Sequence, residues 1–294
     1  MLLRGQINTA SPALFLGRSG GDRTRDLIVP NDARYLCATL RYFKVRGRPN
    51  VARYQAALIL GKLHRLIVPT YATIVIMLTL IACLAGVTAL ITATEFLQKH
   101  GLLKKDELLR KIAHMAVAVF VAFWPWLMDW SLIQLGGGLL LGGVLLNRQF
   151  GLIESINGVK RRSYGDIFFA LAIILSATVT DSKVFFALAL LHLALADGLA
   201  AITGTAFGAK WRYSIIGQTK TVIGSMVFWV MSLWILGAGL LIMTNGAMSY
   251  HQYFWLLVAL PPVLTVLENI SVLGLDNILV PTAVVTILGI VVVG

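Results

Sequence analysis

The sequence predicts an all-α protein, a polytopic transmembrane bundle of about seven helices within a range of six to eight. Three observations lead to this fold class. The 294 residues are 58% hydrophobic and only 13% charged, with a mean hydropathy of +0.82. Several apolar stretches are long enough to cross about 30 Å of hydrocarbon at about 1.5 Å per helical residue. The charged residues fall between these stretches, so the solvent of most of the chain is a bilayer.

The apolar stretches predict where the spans lie. Some of them are only about 16 to 18 residues long, so one or two could be tilted or re-entrant instead of crossing straight. Seven is therefore the central estimate and eight the upper one. The predicted spans are 66–96, 112–128, 131–147, 165–181, 183–208, 221–243, 252–267 and 277–294.

Residues 1–65 differ in character from residues 66–294, the predicted transmembrane domain. The first segment holds 12 basic and three acidic residues, whereas the rest holds 13 basic and 10 acidic. A basic arm for anionic lipid or nucleic acid, a transit-type leader and a misplaced start site are all compatible with this. Residues 20–31 resemble the translation of a transfer-RNA gene, which favours a start nearer Val68 or Met77. We expect no nucleic-acid partner.

The charges of the connections predict the topology. Lys and Arg cluster in the connections after the first, third and fifth spans, at 99–111, 148–162 and 210–220. The alternate connections carry few or none, and 244–252 carries no Lys or Arg. By the positive-inside rule the charged connections and residues 268–277 are cytosolic, as in a multi-pass protein of a bacterial inner membrane or its equivalent.

Three polar stretches in the apolar core are candidates for chemistry. In residues 197–208, Asp197 costs a few kcal/mol in a span unless it meets a cation or a polar cavity. Gly204 and Gly208 have the spacing of close helix packing, which is the simpler interpretation of that stretch. In residues 220–225, Lys220 and Thr221 precede Gly224 and Ser225 at a helix start, where free N–H groups favour a phosphate, although a boundary lysine is usually topological.

The third stretch, residues 268–281, brings two carboxylates and two amides together between spans. Glu268, Asp276 and Asn277 offer the hard oxygen ligands that suit Mg²⁺, although Asp276 or Asn277 could equally cap the last helix. No cysteine or histidine spacing typical of a zinc site and no Gly-rich nucleotide loop occurs. His192 is expected to be a core residue.

Two basic or aromatic groups precede other spans. Arg110, Lys111 and His114 begin the second span, with Arg110 and His114 four residues apart on one helix side. Tyr164 and Gly165 begin the fourth. Each group could contact a phosphate, and each could equally be an interfacial anchor.

In this order the motifs resemble the polyprenol kinase family, which includes dolichol, phytol and farnesol kinases and CTP-dependent diacylglycerol kinases. The resemblance covers roughly residues 77–294 and implies phosphoryl transfer from CTP or another nucleoside triphosphate to the hydroxyl of a membrane lipid alcohol. Ile223 stands where many relatives carry an acid, and Gly198 where a proline often follows the aspartate.

The resemblance implies a role for each motif. Asp197 with Glu268, Asp276 and Asn277 would hold Mg²⁺. Catalytic roles fall to Asp197, Lys220, Arg110, Lys111 and His114. Nucleotide contacts fall to Tyr164, Gly165, Gly204, Gly208, Lys220, Thr221, Gly224 and Ser225.

Two other functions remain open from the sequence. A phosphatidate cytidylyltransferase would transfer CMP to a lipid phosphate, but the carboxy-terminal signature expected of such enzymes is not found. A transporter would also carry intramembrane charge, although the polar motifs here lie at span ends and no two-fold repeat is evident. The sequence leaves the lipid alcohol and a homo-oligomer undetermined.

Overall fold

The computed structural model describes residues 51–100, 106–150, 164–243 and 248–293. Its described elements are nine α-helices, a two-stranded hairpin and short 3₁₀ and π segments. The helices are α1 (Val51–Lys99), α2 (Asp106–Ala122), α3 (Trp130–Phe150), α4 (Gly165–Val179), α5 (Lys183–Leu191), α6 (Gly198–Phe207), α7 (Val222–Met243), α8 (Tyr250–Ile270) and α9 (Asp276–Leu288). The strands are β1 (Arg212–Ile215) and β2 (Gln218–Thr221).

The chain divides into two compact units, Met1–Tyr71 and Ala72–Gly294. In the first unit only residues 51–71 are described, and they are helical. Residues 1–50, which contain most of the basic amino-terminal segment, lie outside the described part of the chain. Every site contact below lies in the second unit.

The all-helical membrane fold class predicted from the sequence is confirmed. Five helices in the described part of the chain are long and apolar enough to span a bilayer: Thr73–Leu97, Trp130–Phe150, Lys183–Lys210, Val222–Ile242 and Tyr250–Ile270. Three shorter apolar helices, Lys111–Trp126, Gly165–Val179 and Asp276–Val292, correspond to the other predicted spans. The number of crossings remains a prediction, because length and composition do not decide whether the short helices cross.

The segment Lys183–Lys210 lies at the centre of the bundle. Of its most apolar 18-residue stretch, 67% is buried inside the protein. It consists of α5, a π segment (His192–Asp197), α6 and a short 3₁₀ turn. Helices α2, α7 and α9 pack around it. His192 at the start of the π segment is fully buried, and its Nδ1 lies 2.7 Å from the Leu188 carbonyl oxygen, as expected of a core histidine.

Gly204 in α6 and Gly208 in the 3₁₀ turn after it allow the end of β2, just before α7, to approach closely. A Cβ added at Gly204 would lie 2.6 Å from Thr221 Oγ1, and one at Gly208 would lie 2.6 Å from Thr221 Cβ. Both distances are well inside van der Waals contact. Gly204 and Gly208 therefore have the packing role that small residues play between membrane helices, with Thr221 filling the space they leave.

We predict that Gly208→Ala destabilises the protein by about 1–3 kcal/mol, because the new methyl group overlaps the stiff, β-branched side chain of Thr221. The measurement is thermal unfolding in detergent. Gly138→Ala is the matched control, since a Cβ at Gly138 meets nothing within 4 Å. Equal melting temperatures for the two variants would show that Gly208 and Thr221 are not in tight contact.

Candidate active site

Three carboxylates from different parts of the sequence meet at one end of the bundle. Asp197 ends the π segment, Glu268 lies in the last turn of α8, and Asp276 begins α9. One oxygen atom from each carboxylate lies within 4.8 Å of the others. Glu268 is only 6% exposed, and the other two are half-buried. Like charges this close repel one another unless cations lie among them.

Lys220 supplies one of these cations. Its Nζ donates to Glu268 Oε1 at 2.5 Å and to the Glu268 main-chain carbonyl at 3.1 Å. The two side chains are 17% and 8% exposed, so water screens the pair poorly. Burial lowers the pKa of Lys220, but the charge of Glu268 and the hydrogen bond to it outweigh burial and raise the pKa above its usual value. Lys220 therefore stays charged at neutral pH.

The other basic residues predicted for the site are Arg110, Lys111 and His114, and they differ in their contacts. Lys111 acts electrostatically on all three carboxylates. The ring of His114 packs edge-on against Phe169, with the ring centroids 4.9 Å apart. Arg110 lies in α2, but its side chain is outside the described residues. The charge of Lys111 therefore links this residue to the carboxylates.

The π segment determines where Asp197 lies. A π turn holds more residues than an α turn, so it shifts the side chains that follow it around the helix, and such turns are frequent at functional sites. The six residues His192–Asp197 form this segment. The segment Lys183–Lys210 is about 42 Å long at the usual rise, which exceeds the hydrocarbon thickness. Asp197, about midway along this segment, lies beside the last turn of α8 and the start of α9.

The hairpin that carries Lys220 was not predicted from the sequence, which indicated helices alone. Strands β1 and β2 pair antiparallel with Tyr213 opposite Lys220 and Ile215 opposite Gln218. The turn between them places Ile216 at φ 48° and Gly217 at φ 73°. The local signal is the alternation of polar and apolar residues from Arg212 to Ile215, too short to distinguish a strand from a polar loop.

The hairpin is docked on the helix ends at two further points. The Gln218 side-chain amide, oriented to match its neighbours, donates to the Ser271 carbonyl at 3.3 Å and accepts from the Leu273 N–H at 3.0 Å. The Tyr213 hydroxyl donates to Asn269 Oδ1 at 2.6 Å. Asn269 belongs to the polar stretch 268–281, but the sequence predicted no role for Asn269 or for Tyr213.

The residues predicted to hold a triphosphate at the start of α7 are engaged within the protein. Thr221 Oγ1 accepts from the Gly224 N–H at 3.1 Å, and the Val222 N–H donates to the Trp211 carbonyl at 3.0 Å. Ser225 Oγ donates to Asn269 Oδ1 at 2.9 Å. The expectation of free N–H groups here is wrong for residues 222 and 224. Thr221 caps the N–H of Gly224 in the way of an ordinary N-cap residue, and the Trp211 carbonyl accepts from Val222.

Tyr164, Gly165 and Asn277 connect the start of α4 to the turn before α9. The Asn277 amide nitrogen donates to the Gly165 carbonyl at 2.8 Å, and the Tyr164 N–H donates to the Leu273 carbonyl at 3.0 Å. The guanidinium of Arg148 stacks on the Tyr164 ring, 5.1 Å from its centroid. These contacts fix the backbone beside Asp276.

The donor set suits a divalent cation. Carboxylate oxygens are the ligands that Mg²⁺ prefers, and it commonly takes one or two of them together with waters and substrate phosphates. Asp197, Glu268 and Asp276 meet that requirement by type and by proximity. The side-chain nitrogen of Asn277 is directed at Gly165, so that contact is structural.

The chain is similar in sequence to a known kinase. Over 203 residues it is 30% identical to the phytol kinase of Synechocystis sp. (strain ATCC 27184 / PCC 6803 / Kazusa). The matched region covers 66% of this chain and 82% of that protein. No protein-family model matches the chain, and no solved structure matches it.

We predict that Lys220→Ala and Glu268→Ala each lower the free energy of unfolding by about 1–3 kcal/mol, because each leaves a poorly hydrated charge without its partner. The double variant should lose less than the sum of the two single losses. Thermal unfolding of the four proteins in detergent measures this coupling. Strictly additive losses would mean that the ion pair makes no net contribution.

Proposed function

The chain belongs to the polyprenol kinase family of phytol kinase-like proteins, and from this we propose that it transfers the γ-phosphate of a nucleoside triphosphate, with CTP the first candidate, to the hydroxyl of a long-chain isoprenoid alcohol. The observation that carries the proposal is the meeting of three carboxylates and Lys220 at the ends of apolar helices. The similarity to a phytol kinase supports a lipid alcohol as the acceptor.

Phosphoryl transfer needs positioning and charge stabilisation more than covalent help from the protein. Asp197, Glu268 and Asp276 would hold Mg²⁺, which supplies positive charge to the phosphate oxygens. Lys220 would donate hydrogen bonds to the same phosphates, because it is held at the cluster and stays charged. Lys111, whose charge acts on the same carboxylates, would add to the positive potential.

The proposed reaction forms one bond to the γ-phosphorus and breaks another. The alcohol oxygen forms a bond to the γ-phosphorus, the bond from that phosphorus to the β-phosphate oxygen breaks, and the nucleoside diphosphate leaves. The hydroxyl proton passes to a carboxylate oxygen of the cluster, the arrangement that kinases use for their acceptor hydroxyl. The products are a lipid monophosphate and a nucleoside diphosphate.

We place the site on the cytosolic side of a multi-pass membrane protein. Two of the connections predicted as cytosolic, 210–220 and 268–277, contribute residues to the site, and Tyr164 follows a third. A soluble nucleotide would enter from that side, while the alcohol would reach the cluster from the bilayer.

The decisive experiment incubates the purified protein and Mg²⁺ with nucleotides labelled at the γ- or α-phosphate and with phytol, a polyprenol or diacylglycerol. We expect γ-label in the lipid and none from the α-position. Transfer of α-label would instead identify a cytidylyltransferase. Absence of label from every combination would contradict the proposal.

Asp197→Asn should lower kcat by about two orders of magnitude or more, because an amide cannot replace the negative charge that binds the cation. The protein should still insert into membranes, since one polar atom is exchanged for another of the same size. Asp129→Asn is the matched control, because Asp129 is exposed, directly precedes α3 and is not a member of the carboxylate cluster. Full activity in Asp197→Asn would exclude this carboxylate from the reaction.

Removal of divalent cations with a chelator should abolish the activity, and added Mg²⁺ or Mn²⁺ should restore it. Bound Mn²⁺ can be followed directly by electron paramagnetic resonance, in a measurement that does not depend on turnover. Its affinity should fall in Asp197→Asn and stay unchanged in Asp129→Asn. Activity that persists without divalent cations would overturn the metal assignment.

A further inference from the structure

The inner side of the hairpin carries a hydroxyl directly opposite Lys220. Tyr213 pairs with Lys220 in the strand register, so the two side chains project from the same side of the hairpin. The Tyr213 hydroxyl donates to Asn269 Oδ1 at 2.6 Å and lies 2.5 Å from Ser225 Oγ. Ser225 Oγ donates to the same Asn269 oxygen at 2.9 Å.

The shared acceptor is itself fixed to α8. The Asn269 amide nitrogen donates to the Thr265 carbonyl at 2.9 Å, which orients the side chain along the helix. Asn269 directly follows Glu268, the residue that Lys220 contacts. The bond from Tyr213 to Asn269 thus joins the strand opposite Lys220 to the helix turn that carries the partner carboxylate.

The hairpin requires such an anchor. Its strands are four residues each, and a two-stranded hairpin of that length is marginal in isolation. Its turn adds strain, because Ile216 is β-branched and has φ 48°, a conformation that such residues rarely adopt. Pairing between the strands alone would leave Lys220 poorly placed, so its position also depends on contacts of the hairpin with α8 and on the packing of Thr221 against Gly204 and Gly208.

We propose that Tyr213 is a positioning residue for phosphoryl transfer, whose hydroxyl holds the hairpin on α8 so that Lys220 meets the phosphates of the nucleotide. The inference rests on the proposed function. Tyr213 acts through Lys220 and touches no reacting atom. When Lys220 exchanges Glu268 for a phosphate, the bond from Tyr213 to Asn269 helps to keep the hairpin beside the carboxylates, together with the contacts of Gln218.

The test is Tyr213→Phe, which removes one hydroxyl and keeps the ring. We expect the KM for the nucleotide to rise about five- to tenfold, the effect of one lost hydrogen bond. The KM for the alcohol should not change. Asn269→Leu, which removes the shared acceptor, should raise the nucleotide KM in the same way. A purely structural role would lower the yield of folded protein without shifting one KM selectively.

The dependence on Lys220 is tested by equilibrium binding of CTP with Mg²⁺. Tyr213→Phe should weaken binding in the wild-type background and have no further effect in the Lys220→Ala background, because its influence passes through that lysine. Equal weakening in both backgrounds would overturn the proposal.

Tyr253→Phe is the matched control, since the Tyr253 hydroxyl donates to the Gly237 carbonyl at 3.0 Å between α8 and α7. It should leave both KM values unchanged. An unchanged nucleotide KM in Tyr213→Phe, with an active wild type, would overturn this inference alone. A wild type that phosphorylates no alcohol would remove the proposed function and the inference together.

Discussion

The structure depends on the close approach of three carboxylates at the end of an apolar bundle. Asp197, Glu268 and Asp276 converge within 4.8 Å, where water is scarce and their mutual repulsion is poorly screened. Two cations offset the repulsion among the carboxylates. Lys220 forms an ion pair with Glu268, and the charge of Lys111 acts on all three carboxylates. An apolar bundle that only needed to be stable would replace such a cluster with hydrophobic residues at no loss. Its presence points to chemistry that requires fixed negative charge.

The need to place Lys220 at that cluster explains the small residues beside it. Lys220 is the last residue but one of β2. Thr221 ends that strand immediately before α7, and its side chain occupies the space left by Gly204 and Gly208. A larger residue at either position would push the start of α7 away from α6 and carry Lys220 with it. Gly204 and Gly208, to which the family resemblance assigns nucleotide contacts, would therefore influence the nucleotide indirectly, by positioning Lys220.

The sequence predicted much of this arrangement and missed the parts that depend on long-range contacts. The apolar stretches predicted the helices, the charges of the connections predicted that 210–220 and 268–277 lie on one side of the membrane, and the family resemblance implied that Asp197, Glu268 and Asp276 share a site. The π segment was not predictable, because His192–Asp197 has the same apolar character as an α-helix. The engagement of Ser225 by Asn269, 44 residues away, depends on how α7 and α8 pack, and no local pattern encodes that.

The depth of the cluster bears on the choice between catalysis and transport. Transporter sites lie near the middle of the membrane, where two halves of the protein rock around them. Here Glu268 lies two residues before the end of α8 and Asp276 begins α9, so the carboxylates lie at a helix boundary although Asp197 belongs to a long central segment. A site at the boundary suits a reaction between a soluble nucleotide and a membrane-held alcohol, because each reactant reaches it from its own phase. A transported solute would instead require a connected set of polar groups deeper in the bundle. In the described residues the core around Phe186, Leu188 and Leu236 is mostly apolar, and its fully buried polar side chains are the scattered His192, Ser176 and Ser232.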